Sequence, residues 1–198
     1  MPKSTPQLIE IPEMNFITVE GKGNPNEENG EYQTAVGLLY ALSWTIKMSK
    51  MGLNIPDGYF EYVVPPLEGM WWLADGNAGI DYTHKEKYCW ISMLRQPEFV
   101  TEDVFNWACG EVEIKKKLDT SKASLKLIQE GLCVQCMHNG PFDDEPATLA
   151  KMEQFISENG LISDISNQRH HHEIYLQDPR KIDASKMKTV LRIPVRRA

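Results

Sequence analysis

The chain has four cysteines, Cys89, Cys109, Cys133 and Cys136, and a single C-x-x-C, formed by the last two. In a strand that spacing sends the two sulfurs to opposite faces, which suits neither a redox pair nor a zinc clip. Reduced, mostly buried thiols in a cytoplasmic protein are therefore expected. No apolar run approaches the ~20 residues that a membrane helix needs. The opening MPKSTPQLIEIPEM has a lysine but no apolar run behind it, so no signal peptide is expected and the protein should be soluble. Positive charge is also short. The net charge is -7, and the basic groups Lys115–Lys117 and Arg192–Arg197 read as a solvated face and a tail, so nucleic acid is not an expected partner. G-x-S-x-G, Walker A and dinucleotide fingerprints are missing, as is H-E-x-x-H. The run His170-His171-His172 alternates faces on a strand, so it points to no metal site. His84 and His138 are isolated and read as surface or turn residues, and neither metal nor cofactor is expected.

What is present is an ordinary globular composition of 198 residues carrying an internal repeat. FITVEGKGNP, Phe16 to Pro25, matches LCVQCMHNGP, Leu132 to Pro141; both are strand candidates running into a Gly/Asn/Pro turn. A helical stripe follows each. After the first come Ala35, Leu38, Leu39, Leu42 and Ile46; after the second come Leu149, Met152 and Ile156, with Pro146 in the first turn and Asn159-Gly160 as the C-cap. MWWLADG, Met70 to Gly76, then matches EIYLQDP, Glu173 to Pro179, pairing Trp72 with Tyr175, Leu73 with Leu176 and Asp75 with Asp178. Last, SMLRQP (Ser92 to Pro97) matches TVLRIP (Thr189 to Pro194).

Each half thus reads strand, helix, strand, strand. The expected fold is α+β, a tandem pseudo-two-fold pair of β-α-β-β repeats with a ligand cleft between them. One domain spans 1–198, with repeat one at about 14–97, a helical connector at about 98–130 and repeat two at about 131–198. In the connector Thr101 caps a helix carrying Phe105, Ala108 and Val112, and Asp119 to Ser124 reads as a turn into a short second helix.

The two matched strands are where chemistry is expected. By period 2, Glu68, Met70 and Trp72 share one face, and His171, Glu173 and Tyr175 share another. Meeting near the pseudo-two-fold axis, these faces would make a cleft of aromatic walls with a few convergent polar groups. A partly desolvated Glu173 there attracts a cationic or polarised ligand or serves as general base to a water, and Tyr175 can donate to either. The same pattern allows Glu173 on an edge strand facing solvent, with Tyr175 in the core. Trp71 and Trp72 must point to opposite faces, while Trp44, Trp90 and Trp107 read as core.

Five ordered segments, FITVEGKGNPNE, PPLEGMWW, MLRQPEFVTEDVF, HNGPFDDEPATLAKME and HHEIYLQDPRK, resemble the GyrI-like small-molecule-binding proteins across nearly the whole chain. The resemblance implies tandem SHS2-like repeats that bind a hydrophobic aromatic small molecule between them. Some members carry an N-terminal helix-turn-helix; only a short stub precedes the first strand here, so no DNA reader is expected. Among stand-alone members the chain is similar to cyclopropanoid cyclopropyl hydrolases, which open the cyclopropane of yatakemycin- and duocarmycin-type DNA alkylators with water. That similarity implies catalytic roles for Glu173 and Tyr175 in HHEIYLQDPRK. It makes Glu68, Trp71, Trp72, Tyr40, Trp107, Phe142 and His171 candidate ligand-binding residues. The alternative it leaves is a non-catalytic module that sequesters a drug or inhibits a protein target.

Overall fold

A computed structural model describes residues 2–52, 55–74, 84–178 and 181–198. The first repeat comprises β1 (Gln7–Lys22), α1 (Glu31–Lys47), β2 (Leu67–Leu73) and β3 (Tyr88–Gln96). Helix α2 (Glu102–Lys116) leads to the second repeat: β4 (Ala123–Asn139), α3 (Glu145–Glu158), β5 (Leu161–Ser163), β6 (His171–Tyr175) and β7 (Lys188–Arg197). The expected order recurs in both halves, with the three-residue β5 as an addition. Asp75 and Gly76 of the second repeat block, and Pro179 of its partner, lie outside the described residues.

The helix signals act where the sequence places them. Thr101 Oγ1 accepts from Val104 N–H at 3.4 Å and starts α2. Pro146 sits in the first turn of α3, and Asn159 ends it by donating its backbone N–H to Phe155. The short helix expected near Ser124 is instead strand. β1 presents a long edge, and Ala123 to Gln135 pairs along it from Val19 to Gln7, so ladder hydrogen bonds override the local turn signal.

All the strand pairs are antiparallel, in the order β4-β1-β3-β2-β6-β7-β5. A further pairing of β4 with β7 brings the row back to its start, so β4, β1, β3, β2, β6 and β7 form a closed ring. The repeats therefore join at two seams, β1 with β4 and β2 with β6.

Both repeat helices cover the same face of this sheet. The α1 stripe of Ala35, Leu38, Leu39, Leu42 and Ile46 is buried with Ile17, Val19, Trp71, Trp90 and Leu94, and α2 adds Phe105, Ala108 and Val112. Met152 and Ile156 of α3 pack on Val134, Cys136, Leu191, Ile193 and Val195. Each fully buried aliphatic side chain here is worth about 1.5–3 kcal/mol. Trp90 is fully buried, but Trp44 is 46% exposed, against the core role expected of it. It sits two residues past Leu42, which turns it away from the buried stripe. His138 is buried rather than superficial, its ring held between Thr148 Oγ1 (2.9 Å) and the Pro141 carbonyl (3.0 Å).

Candidate functional site

Register fixes what stands on the central seam. Val19, Ser92, Gly69, Glu173 and Leu191 are successive partners across β1, β3, β2, β6 and β7. Paired residues share a face. The row thus begins in the α1 core and ends in the α3 core, with Glu173 between them on the helix-covered side.

Around Glu173 the side chains form a connected set. Tyr175, two residues on, donates its hydroxyl to Glu173 Oε2 at 2.8 Å. Trp71 Nε1 donates to that same Tyr175 oxygen, also at 2.8 Å. His171 Nε2 lies 3.3 Å from Glu173 Oε1, too poorly aligned for a hydrogen bond. The Phe142 ring meets Tyr175 edge-on, with centroids 5.7 Å apart. Tyr32, from the first turn of α1, packs on Trp71 and meets Trp90 edge-on at 5.3 and 5.1 Å. Glu173 is 7% exposed and His171 4%. Burial first, and then the charge of Glu173, pushes the Tyr175 phenol well above the ordinary tyrosine range; Glu145, buried in the first turn of α3, acts the same way. Tyr32 is likewise raised, chiefly by burial. The arrangement is a base-capable carboxylate bonded to Tyr175, whose hydroxyl and ring meet Trp71 and Phe142, with Tyr32, Tyr88 and Trp90 packed behind them.

The expectation that the Glu68 and Glu173 faces meet does not hold. In the β2–β6 pair Gly69 faces Glu173, Met70 faces His172 and Trp71 faces His171. Glu68, Met70 and Trp72 therefore point to the other side of the sheet, together with His172. There His172 is fully buried, with Nε2 3.0 Å from Glu68 and Nδ1 2.8 Å from Glu130. Arg192 completes the cluster, binding Glu130 at 2.6 Å and Gln135 at 2.9 Å, so it is not part of a solvated tail. Burial by itself would lower the His172 pKa, but the charge and hydrogen bond of Glu130, and then Glu68, raise it to about 9. Burial works against ionisation of Glu130, yet His172 and Arg192 hold its carboxyl below the ordinary range. Trp72 stacks on His170, 4.1 Å between centroids.

Of the other candidates, Phe142 and His171 stand beside the Glu173 pair, whereas Tyr40 and Trp107 pack at the margin of the α1–α2 core. Trp71 is at the site, but as a buried donor. Sequence reasoning missed Gly69, Tyr32 and Glu145. A signal for Tyr32 existed, since it extends the Ala35–Leu39 stripe by one turn. Among the described residues no group of three or more His, Cys, Asp or Glu could hold a metal ion.

A sequence model of the GyrI-like small molecule binding domain matches residues 4–196. A structure described as a hydrolase from Listeria innocua is 50% identical, with a TM-score of 0.90 over 99% of this chain and 94% of that one. Another, of an uncharacterized conserved protein from Listeria innocua, is 51% identical at a TM-score of 0.91 over 98% and 94%. The EcmrR C-terminal domain shares the fold alone: 13% identity and a TM-score of 0.58 over 98% of each chain. No curated protein sequence matches.

Proposed function

The chain belongs to the GyrI-like small-molecule-binding domain family, and from that premise we propose that it is a hydrolase adding water to a hydrophobic aromatic small molecule at Glu173. The observation that carries this reading is the chain of hydrogen bonds from Trp71 through Tyr175 to Glu173 on the aromatic seam between the repeats. Hydrolase is also the description of the 50%-identical Listeria innocua structure. The substrate class comes from the resemblance of PPLEGMWW and HHEIYLQDPRK to cyclopropanoid cyclopropyl hydrolases: a planar compound whose spiro-cyclopropane is conjugated to a dienone.

The chemistry asks little of the protein. Glu173 takes a proton from a water, and Tyr175, hydrogen-bonded to Glu173, orients that water beside the carboxylate. The water oxygen bonds to the cyclopropane methylene as the ring carbon–carbon bond breaks. The electron pair moves through the dienone to its oxygen, which becomes a phenolate and is then protonated, so the net change is one added water. Strain relief and aromatisation drive the step. A positioned general base contributes about 10²–10⁴-fold, and orientation of the planar substrate against the aromatic rings adds to it. No step calls for a redox group.

The test is to incubate the purified protein with a duocarmycin-type cyclopropane and follow mass by liquid chromatography. Many turnovers to a product heavier by one water, lost in Glu173→Gln with binding retained, would establish the hydrolase. Tight stoichiometric binding with unchanged substrate mass would overturn it in favour of a sequestering module.

A further inference from the structure

The direction of the hydrogen bonds on the seam is fixed at its far end. An indole N–H donates and cannot accept, and a phenol has one hydrogen. Trp71 Nε1 points at Tyr175 Oη, 2.8 Å away. With that oxygen accepting, the single Tyr175 hydrogen goes to Glu173 Oε2, also 2.8 Å away. The chain runs one way, from Trp71 to Tyr175 to Glu173.

Trp71 has no other polar task. It is 6% exposed, packed between Tyr32 (5.3 Å) and Tyr88 (5.7 Å), so its N–H is committed to Tyr175 rather than offered to a ligand. Its ring reaches Tyr175 by crossing over Gly69. A Cβ at position 69 would lie 2.7 Å from Trp71 Nε1 and 3.2 Å from the Tyr175 oxygen. The neighbouring indole, Trp72, faces away, so the tandem tryptophans divide between the two sides of the sheet.

We infer that Trp71 is a positioning residue for the Glu173–Tyr175 pair, acting through Tyr175, with Gly69 as the notch that admits its indole. The inference rests on the hydrolase reading for its effect on rate, but not for the hydrogen bond itself. Without the indole N–H the Tyr175 oxygen loses the donor that fixes its place on the seam, and its hydrogen bond to Glu173 is less firmly positioned.

The experiment is a double-mutant cycle of Trp71→Phe and Tyr175→Phe with a duocarmycin-type cyclopropane, together with the indole N–H resonance of Trp71 by NMR. Trp71→Phe keeps an aromatic ring without the N–H and should lower kcat roughly 10- to 100-fold with KM little changed. In the Tyr175→Phe background it should cost nothing further, since residues acting as a unit are not additive. The Trp71 indole resonance should shift in Tyr175→Phe. Additive losses, or an unmoved resonance, overturn the inference. If the wild type gives no turnover, the hydrolase reading fails separately, and the Trp71 indole resonance in Tyr175→Phe decides the inference. Should Trp71→Phe not fold, the resonance in Tyr175→Phe decides alone.

Discussion

Gly69 lies directly opposite Glu173 in the β2–β6 pair, and the space left by its missing side chain is where Trp71 and Tyr175 meet. Gly69 has no positive φ, so an alanine meets no backbone strain there, only crowding. Its Cβ would need the Trp71 indole to retreat from 2.7 Å, which breaks the contact with Tyr175. Gly69→Ala should therefore fold, lose about 1–3 kcal/mol, and lose at least roughly 10-fold in turnover. Urea denaturation and product formation read the two effects. Wild-type values in both would show that the notch is not needed.

Glu68 and Glu173 are predicted to separate cleanly, because they occupy opposite faces of one seam. Glu173→Gln should abolish turnover with little effect on melting. Glu68→Ala leaves His172 with Glu130 alone in a fully buried position, at a cost of about 3 kcal/mol, and should change ligand affinity by less than about threefold. Calorimetry of ligand binding beside urea denaturation makes the comparison. A large loss of affinity in a Glu68→Ala protein that remains folded would put Glu68 in the site after all.

The buried imidazolium makes stability depend on alkaline pH. His172 titrates at about 9 in the folded protein, above the ordinary histidine value of 6.5. The stability it contributes is complete below about 6.5 and is lost as pH rises through about 9. Glu130 on β4, Glu68 on β2 and Arg192 on β7 are the charged groups facing it. Up to roughly 3 kcal/mol is at stake. Glu130, held low, acts in the opposite direction and gives way only in acid. Melting temperature should be highest below about pH 6.5, fall by several degrees between there and about pH 9, and level off toward pH 10. In Glu68→Gln the alkaline fall should level off at lower pH, as one partner of His172 loses its charge.

What is legible in the sequence depends on distance along the chain. Stripes such as Ala35–Leu39–Leu42–Ile46, the Thr101 cap and Pro146 are local signals, and the helices follow them. The repeat was legible because three matched blocks recur in order. What could not be read was how β2 meets β6. Period 2 puts Glu173 and Tyr175 on one face and Glu68 and Trp72 on one face, but not which faces coincide. A one-residue change of register exchanges Trp71 for Trp72 and Gly69 for Glu68. The strand from Ala123 was hidden for the same reason, since its partner β1 lies more than a hundred residues away. Tyr175 and Glu173 could be proposed from motif; the indole that orders them required the pairing.

Tyr175→Phe tests the same geometry with the smallest change. Removing the hydroxyl strips Glu173 of its 2.8 Å donor and leaves the Trp71 N–H, a buried donor, without its acceptor. The second loss costs about 1–3 kcal/mol of stability. The aromatic surface, including the edge contact with Phe142, is retained, so affinity for a planar apolar compound should stay within a few-fold while kcat falls roughly 100-fold. The wild-type phenol is held well above the ordinary tyrosine range by burial and by Glu173, so it remains protonated throughout a pH 6–10 profile. An alkaline loss of wild-type activity is then expected from His172 on the opposite face and should accompany the fall in melting temperature. Tyr175→Phe, slower at every pH, should keep that same alkaline limb. A limb that disappears with the hydroxyl would mean that the phenol itself titrates in the reaction and that Tyr175 is more than a hydrogen-bonding partner of Glu173.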